Sequence, residues 1–353
     1  VRIEGRDSIK NITSETQLTG WATNNTVTHK KHIGGFALSK ALVEELRSAF
    51  EGIGRRIAFC SSNNLSEVSV MLEARYSAGE ISAAVFEKYL EQFSYFPPAS
   101  LPGAEAVLLT AVPIGRSVLE LTLEGGSFEA IVPPTYGADE QISETEALLA
   151  RVLGAVGIGY DRARVPLKIL AAQTGLGCYG RDNILRFEGL GSFVRLDAWW
   201  TELSAEGEAW GPPRQLERCA SCGACERACP NGCISGERFI IDASRCLTFM
   251  NEGAAPFPYW VHPDIHNAAV GCLRCQEACP ENRNTLGRNV YRRFVLDREA
   301  SALILEGKPI AALPPEAQAA VRAAEMAGSE ANLARNLRAL AAARGLNLSP
   351  ARV

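Results

Sequence analysis

The chain has 353 residues, with 36 Lys plus Arg against 40 Asp plus Glu, for a formal net charge of −4. At roughly 150 residues per domain this is two domains or three, and a composition 47% apolar and 22% charged excludes a wholly disordered chain. The slight acidity excludes a general nucleic-acid binder, and no apolar run reaches the roughly 18 residues of a membrane span, since 147–158 is broken by Arg151.

Residues 1–33 are polar and rich in Asn and Thr, and Ile3-Glu4-Gly5-Arg6 resembles a protease-recognition site. They are read as a leader or appended segment without order. They lack the apolar stretch of a secretion signal. Arg55-Arg56 is followed by polar Ser61-Ser62-Asn63-Asn64, not by the apolar run of a twin-arginine signal. A soluble, cytoplasmic protein is expected.

From residue 34 to about 205 the pattern is mixed α/β. Leu38, Leu42, Leu46 and Phe50 recur at helical spacing within 36–50. Val107 to Val112 is a short buried-strand run closed by Pro113. Val118 to Leu123 and Phe128 to Val132 suggest two strands about a Gly125-Gly126 turn. Ser143 to Val156 reads as a helix with Ser143 as N-cap and Glu146 completing a capping box. A further helix is predicted over 166–174, with Pro166 in its first turn and Gly175 ending it.

Gly175-Leu176-Gly177-Cys178-Tyr179-Gly180 then matches G-x-G-x-x-G. A dinucleotide fingerprint follows a strand and opens a helix, whereas here a helix precedes, so a nicotinamide site is rejected. The glycines still mark a loop whose backbone can closely approach a flat or bulky group.

Cysteine is the anomaly. Of 11, nine fall within the 61 residues from Cys219 to Cys279, and the other 292 residues hold only Cys60 and Cys178. Such crowding in a large chain points to metal rather than to disulfides. The first block, Cys219-x-x-Cys222-x-x-Cys225-x-x-x-Cys229-Pro230, is the bacterial ferredoxin run for a [4Fe–4S] cluster, whose fourth Cys ligates the other cluster of a pair. The second, Cys272-x-x-Cys275-x-x-x-Cys279-Pro280, has Ala269 where a leading Cys would stand, and Cys246 makes up the deficit. Eight ligands then give two clusters: Cys219, Cys222 and Cys225 with Cys279, and Cys272 and Cys275 with Cys229 and Cys246. Structural zinc also uses Cys-x-x-Cys pairs, but it has no need of the three-Cys run or the Cys-Pro endings. Cys233 and Cys60 are left as buried, space-filling thiols.

Asp264-Ile265-His266, followed by Gly271, resembles the start of a cobalt-binding Asp-x-His-x-x-Gly motif. The glycine spacing differs, so His266 is read as a packing or supporting residue. Beyond 295 the chain is Ala-rich, and 296–353 is read as a helical extension packed on the rest.

Together, the glycine loop and the cysteine blocks resemble the epoxyqueuosine reductases and their relatives, the reductive dehalogenases. The family's Gly-Leu-Gly-Trp-x-Gly-Lys loop and Gly-Ser-aromatic step correspond to Gly175 to Arg181 and to Gly191-Ser192-Phe193. Its Arg-Arg-Cys and Gly-Cys-x-x-Cys-Gln-x-x-Cys-Pro segments correspond to Arg245-Cys246 and to Gly271 to Pro280. The family Trp is Cys178 here and its Lys is Arg181.

The resemblance implies an α+β architecture. A nitroreductase-like α/β domain (34–205) would be followed by a ferredoxin-like double-cluster domain (206–295) and the helical tail (296–353). It implies two [4Fe–4S] clusters and a cobalamin with no protein ligand on cobalt. That cofactor would be held by Gly175, Leu176, Gly177, Cys178, Tyr179, Gly180, Arg181, Asn183, Ser192 and Phe193. Asp161, 14 residues before Gly175, matches the family's proton-donor Asp. The expected activity is reduction of a small-molecule substrate, with reduced ferredoxin or flavodoxin as donor. A tRNA partner is not expected, because the tail lacks the helical-repeat pattern with which the family grips tRNA. The alternatives are a two-cluster electron carrier without corrinoid and an epoxyqueuosine reductase acting on tRNA.

Overall fold

The computed structural model describes residues 35–136, 139–324, 326 and 330–346. The leader reading of 1–33 lies outside them.

The chain opens with helix α1 (Gly35–Glu51), strand β1 (Arg56–Ser61), helix α2 (Asn64–Ser77) and a short helical turn α3 (Ala83–Val85) that runs into a π-helical turn, Phe86–Leu90. Strands β2 (Ala106–Pro113), β3 (Arg116–Leu123) and β4 (Gly126–Val132) follow, then α4 (Asp139–Val152), β5 (Tyr160–Arg162) and α5 (Leu167–Gln173). A two-residue hairpin, β6 (Cys178–Tyr179) and β7 (Leu185–Arg186), precedes β8 (Val194–Thr201).

Strands β1, β2, β8 and β5 form one antiparallel sheet in that order. Both of its faces are covered. Leu42, Leu46 and Phe50 of α1 and Leu148, Leu149 and Val152 of α4 pack on the face bearing Phe59, Leu108 and Trp199. Leu65 and Val68 of α2 and Leu170 and Ala171 of α5 pack on the face bearing Val107, Leu109 and Trp200. Adjacent Trp199 and Trp200 thus point to opposite layers, as the period of a strand requires. A strand buried on both sides is a near-continuous apolar run, interrupted in β2 by Thr110, which is why β2 is plain in the sequence.

The second sheet, in the order β4-β3-β9, pairs the β3–β4 hairpin with β9 (Val290–Leu296), which runs parallel to β3. Helices α10 (Arg298–Glu306), α11 (Pro315–Ala323) and α12 (Glu330–Ala343) cover one of its faces. Ile304, Val321, Leu337 and Leu340 meet Leu119, Leu121, Phe128 and Val132 there in one core.

One expected boundary is corrected. Helix α4 begins at Asp139 and ends at Val152, so Ser143 lies inside it and is not its N-cap. The Ser143 hydroxyl donates back to the Asp139 carbonyl at 2.9 Å, the i−4 bond a mid-helix serine makes. Residues 154–156 form a separate 3₁₀ turn, closed by Gly157 at φ +73°. Among the described residues no helix is long and apolar enough to cross a membrane.

Candidate metal centre

Short helices carry the cysteines: α6 (Cys219–Cys222), α7 (Ala224–Ala228), α8 (Leu247–Asn251) and α9 (Arg274–Ala278). Gly223, left-handed at φ +58°, ends α6 and starts α7. The chain can therefore reverse within one residue and aim Cys219, Cys222 and Cys225 at a common point. Helix α9 stops at Cys279, which is extended, and Pro280 opens the next turn. The thiols of Cys219, Cys222, Cys225 and Cys279 line one cavity, walled by Arg181, Arg186 and Pro280. Two blocks 50 residues or more apart thus contribute to it. Among the described residues no three His, Cys, Asp or Glu side chains are gathered for a single ion. A cavity ringed by thiols suits a cluster better than one zinc.

The cavity wall is cationic. Arg181 donates to the Cys219 carbonyl at 2.6 Å and pairs with Glu226 at 2.7 Å. Arg186 makes a bidentate pair with Asp182, one arm at 2.8 Å, and both side chains are buried. Its Nε is buried without a hydrogen-bond partner, a free donor at the rim of a thiol cavity. Donors of this kind serve the sulfurs of a bound cluster.

A second group holds Cys229, Cys246, Cys272 and Cys275, close enough that Cys246 acts electrostatically on both Cys272 and Cys275. Burial pushes the Cys272 thiol up to about 11 and Cys275 well above its usual value. Thiols so placed become thiolates only with a compensating cation, which coordination supplies. Asn267 fixes this loop, donating to Cys272 Sγ at 3.3 Å and accepting from the Leu273 amide at 2.9 Å. Ala269 is fully buried in the core beside Val132. Helix α12 clamps the same region: Asn336 donates to the carbonyls of Asn251 and Ala269, and Arg335 to that of Met250.

The glycine-loop residues have definite partners. A Cβ at Gly177 would come within 3.1 Å of Phe187, and one at Gly180 within 2.5 Å of Arg186. The close approach expected of these glycines is therefore made to the protein's own β7 segment. Tyr179 is buried and meets Phe239 edge-on. Asn183, left-handed at φ +55°, donates to Phe239 O and accepts from Ile241 N. Ser192 bonds Gln276 and Asn282, while Phe193 is buried against Gly287. Most of this set docks the cysteine segment onto the first sheet's domain. Gly175 is exposed, and Leu176 and Cys178 are half-buried.

Asp161 is half-buried on edge strand β5, where Ser100 Oγ donates to its Oδ2. His266 is buried against Phe257, and burial, aided by Arg335, pulls its pKa down to about 4.

Sequence reasoning missed a polar group on the cysteine segment. Glu252 accepts from the hydroxyls of both Tyr89 and Tyr136. These contacts join residues more than 100 apart, so no local pattern could have signalled them. Lys168, on α5, is exposed and donates to the Asn183 carbonyl at 3.4 Å.

The class of protein follows from this geometry and from a matching family model. Residues 218–282 match the family described as a 4Fe-4S double cluster binding domain. Epoxyqueuosine reductase of Pseudomonas aeruginosa is 32% identical over 124 residues, 35% of this chain and 33% of that protein. Epoxyqueuosine reductase from Streptococcus thermophilus shares the fold at a TM-score of 0.59 and 19% identity, over 86% of this chain and 81% of that one. The chain is thus similar to the epoxyqueuosine reductases, and the matched segment spans about a third of the Pseudomonas relative's length.

The expectation that tRNA is no partner is overturned. An epoxyqueuosine reductase solved with a modified tRNA-Tyr stem loop also matches, at a TM-score of 0.58 and 17% identity, over 86% of this chain and 82% of that one.

Proposed function

We propose that the chain is an iron–sulfur oxidoreductase that passes electrons through two [4Fe–4S] clusters to a cobalamin, in the cytoplasm. Its first domain would be a nitroreductase-like α/β layer. The observation that carries the reading is the cavity lined jointly by Cys219, Cys222 and Cys225 of the first block and Cys279 of the second. Leu176 and Cys178, half-buried at the glycine loop, and exposed Lys168 are the side chains available to hold a corrinoid.

Cys219, Cys222, Cys225 and Cys279, half-exposed beside Arg181, would hold a cluster able to take an electron from reduced ferredoxin or flavodoxin, and Cys229, Cys246, Cys272 and Cys275 would hold the second. A bound corrinoid supplies a strong nucleophile and reductant once reduced. Asp161 would supply the proton, its Oδ2 steadied by Ser100. His266 packs against Phe257 and would not serve as a cobalt ligand. In the first reading the substrate is unidentified. The second, a tRNA-borne epoxyqueuosine, is favoured by the solved relative that carries a tRNA stem loop.

The test is an electron paramagnetic resonance spectrum of the anaerobic protein with added cob(II)alamin. A five-coordinate signal without nitrogen splitting is expected, unchanged in Asp161→Asn, whose turnover falls roughly 10²-fold. No binding favours the plain electron carrier, and nitrogen splitting lost in His266→Ala refutes the packing role.

A further inference from the structure

Cys233 is the thiol that the eight-ligand count leaves over, and its surroundings are not those of a space-filling side chain. The segment Cys229-Pro230-Asn231-Gly232-Cys233 turns back on itself, with Gly232 left-handed at φ +61° and its amide bonded to the Cys229 carbonyl at 3.3 Å. The Cys233 carbonyl is fixed by the Asp242 amide at 2.9 Å. This turn brings Cys233 Sγ to 3.0 Å from Cys229 Sγ. The side chain is 2% exposed and also hydrogen-bonds Cys246. A fifth thiol thus stands against two of the four sulfurs assigned to the second cluster, inside the segment matched by the double-cluster family model.

We infer that Cys233 is a reserve ligand of the second cluster, able to take the coordination position of Cys229. The inference rests on the two-cluster reading above. In the exchange the Fe–Sγ bond to Cys229 breaks and one to Cys233 forms. The Cys233 proton passes to the leaving Cys229 thiolate, already its hydrogen-bond partner, and no electron is transferred. The sulfur that must replace Cys229 starts 3.0 Å from it, a displacement within reach of one side-chain rotation and a small shift of the 230–232 turn. Both cysteines lie on one short loop, so the replacement needs no movement of α8 or α9. Such a device would let the cluster survive damage at Cys229.

The test compares native protein, Cys229→Ala, Cys233→Ala and the double variant, all purified anaerobically, by iron content and by the reduced-cluster paramagnetic spectrum. Native protein and both single variants are expected to hold about eight irons and the double variant about four. The Cys229→Ala spectrum is expected to differ from native, because one ligand has changed. Persistence of the first cluster's signal in every variant shows that the chain has folded. Loss of about four irons from Cys229→Ala alone overturns the inference and leaves the two-cluster reading intact. Native protein with far fewer than about eight irons overturns that reading and the inference with it.

Discussion

Cys279→Ser is expected to lower the iron content from about eight to about four per chain, as is Cys219→Ser, and combining the two to lower it no further. Cys279 belongs by sequence to the second block but lines a cavity with Cys219, Cys222 and Cys225. Two ligands of one cluster cannot each remove a different cluster, so their effects coincide instead of adding. Cys219→Ser with Cys272→Ser removes one ligand from each group and should leave almost no iron. If Cys279→Ser with Cys272→Ser retains about four irons, the ligands are not crossed and each block holds its own cluster.

Asp182→Ala should destabilise the folded protein by about 3–5 kcal/mol, the usual consequence of leaving a buried charge without its partner. Asp182 and Arg186 have side chains 0% and 4% exposed, so water cannot replace the lost carboxylate. Arg186 also walls the thiol cavity, and the damage should include weaker iron retention. Asp182→Ala with Arg186→Met removes both charges and should recover much of the stability, because an apolar pair of similar size is often as stable. Urea titration of anaerobic, iron-loaded protein measures both variants. An unchanged midpoint in Asp182→Ala would show that the pair is not buried in solution.

The readable parts of the fold are those governed by local chemistry. The β2 run is visible because both of its faces are buried. The β3–β4 hairpin is announced by Gly125-Gly126, and Gly125 takes φ +88°. Gly175 ends α5 at φ +74°, as its position suggested. Misplacing the start of α4 came from treating Ser143 as a cap, when its hydroxyl instead bonds back within the helix. The β3–β9 pairing joins residues more than 170 apart, and no local signal records it. The same holds for the hydroxyls on Glu252: Tyr89, Tyr136 and Glu252 carry no motif, and only the fold brings them together. The cysteines themselves were plain because coordination demands fixed spacings, whereas the glycine loop was ambiguous because close packing on protein and close approach to a cofactor both require glycine.

Mössbauer spectroscopy of anaerobically purified, ⁵⁷Fe-enriched protein tests the two-cluster assignment most directly. The account predicts about eight irons per chain, all in the spectrum of [4Fe–4S]²⁺ centres and none as isolated ions. Zinc in place of iron, or a single cluster with four thiols left free to alkylation in the folded protein, would contradict it.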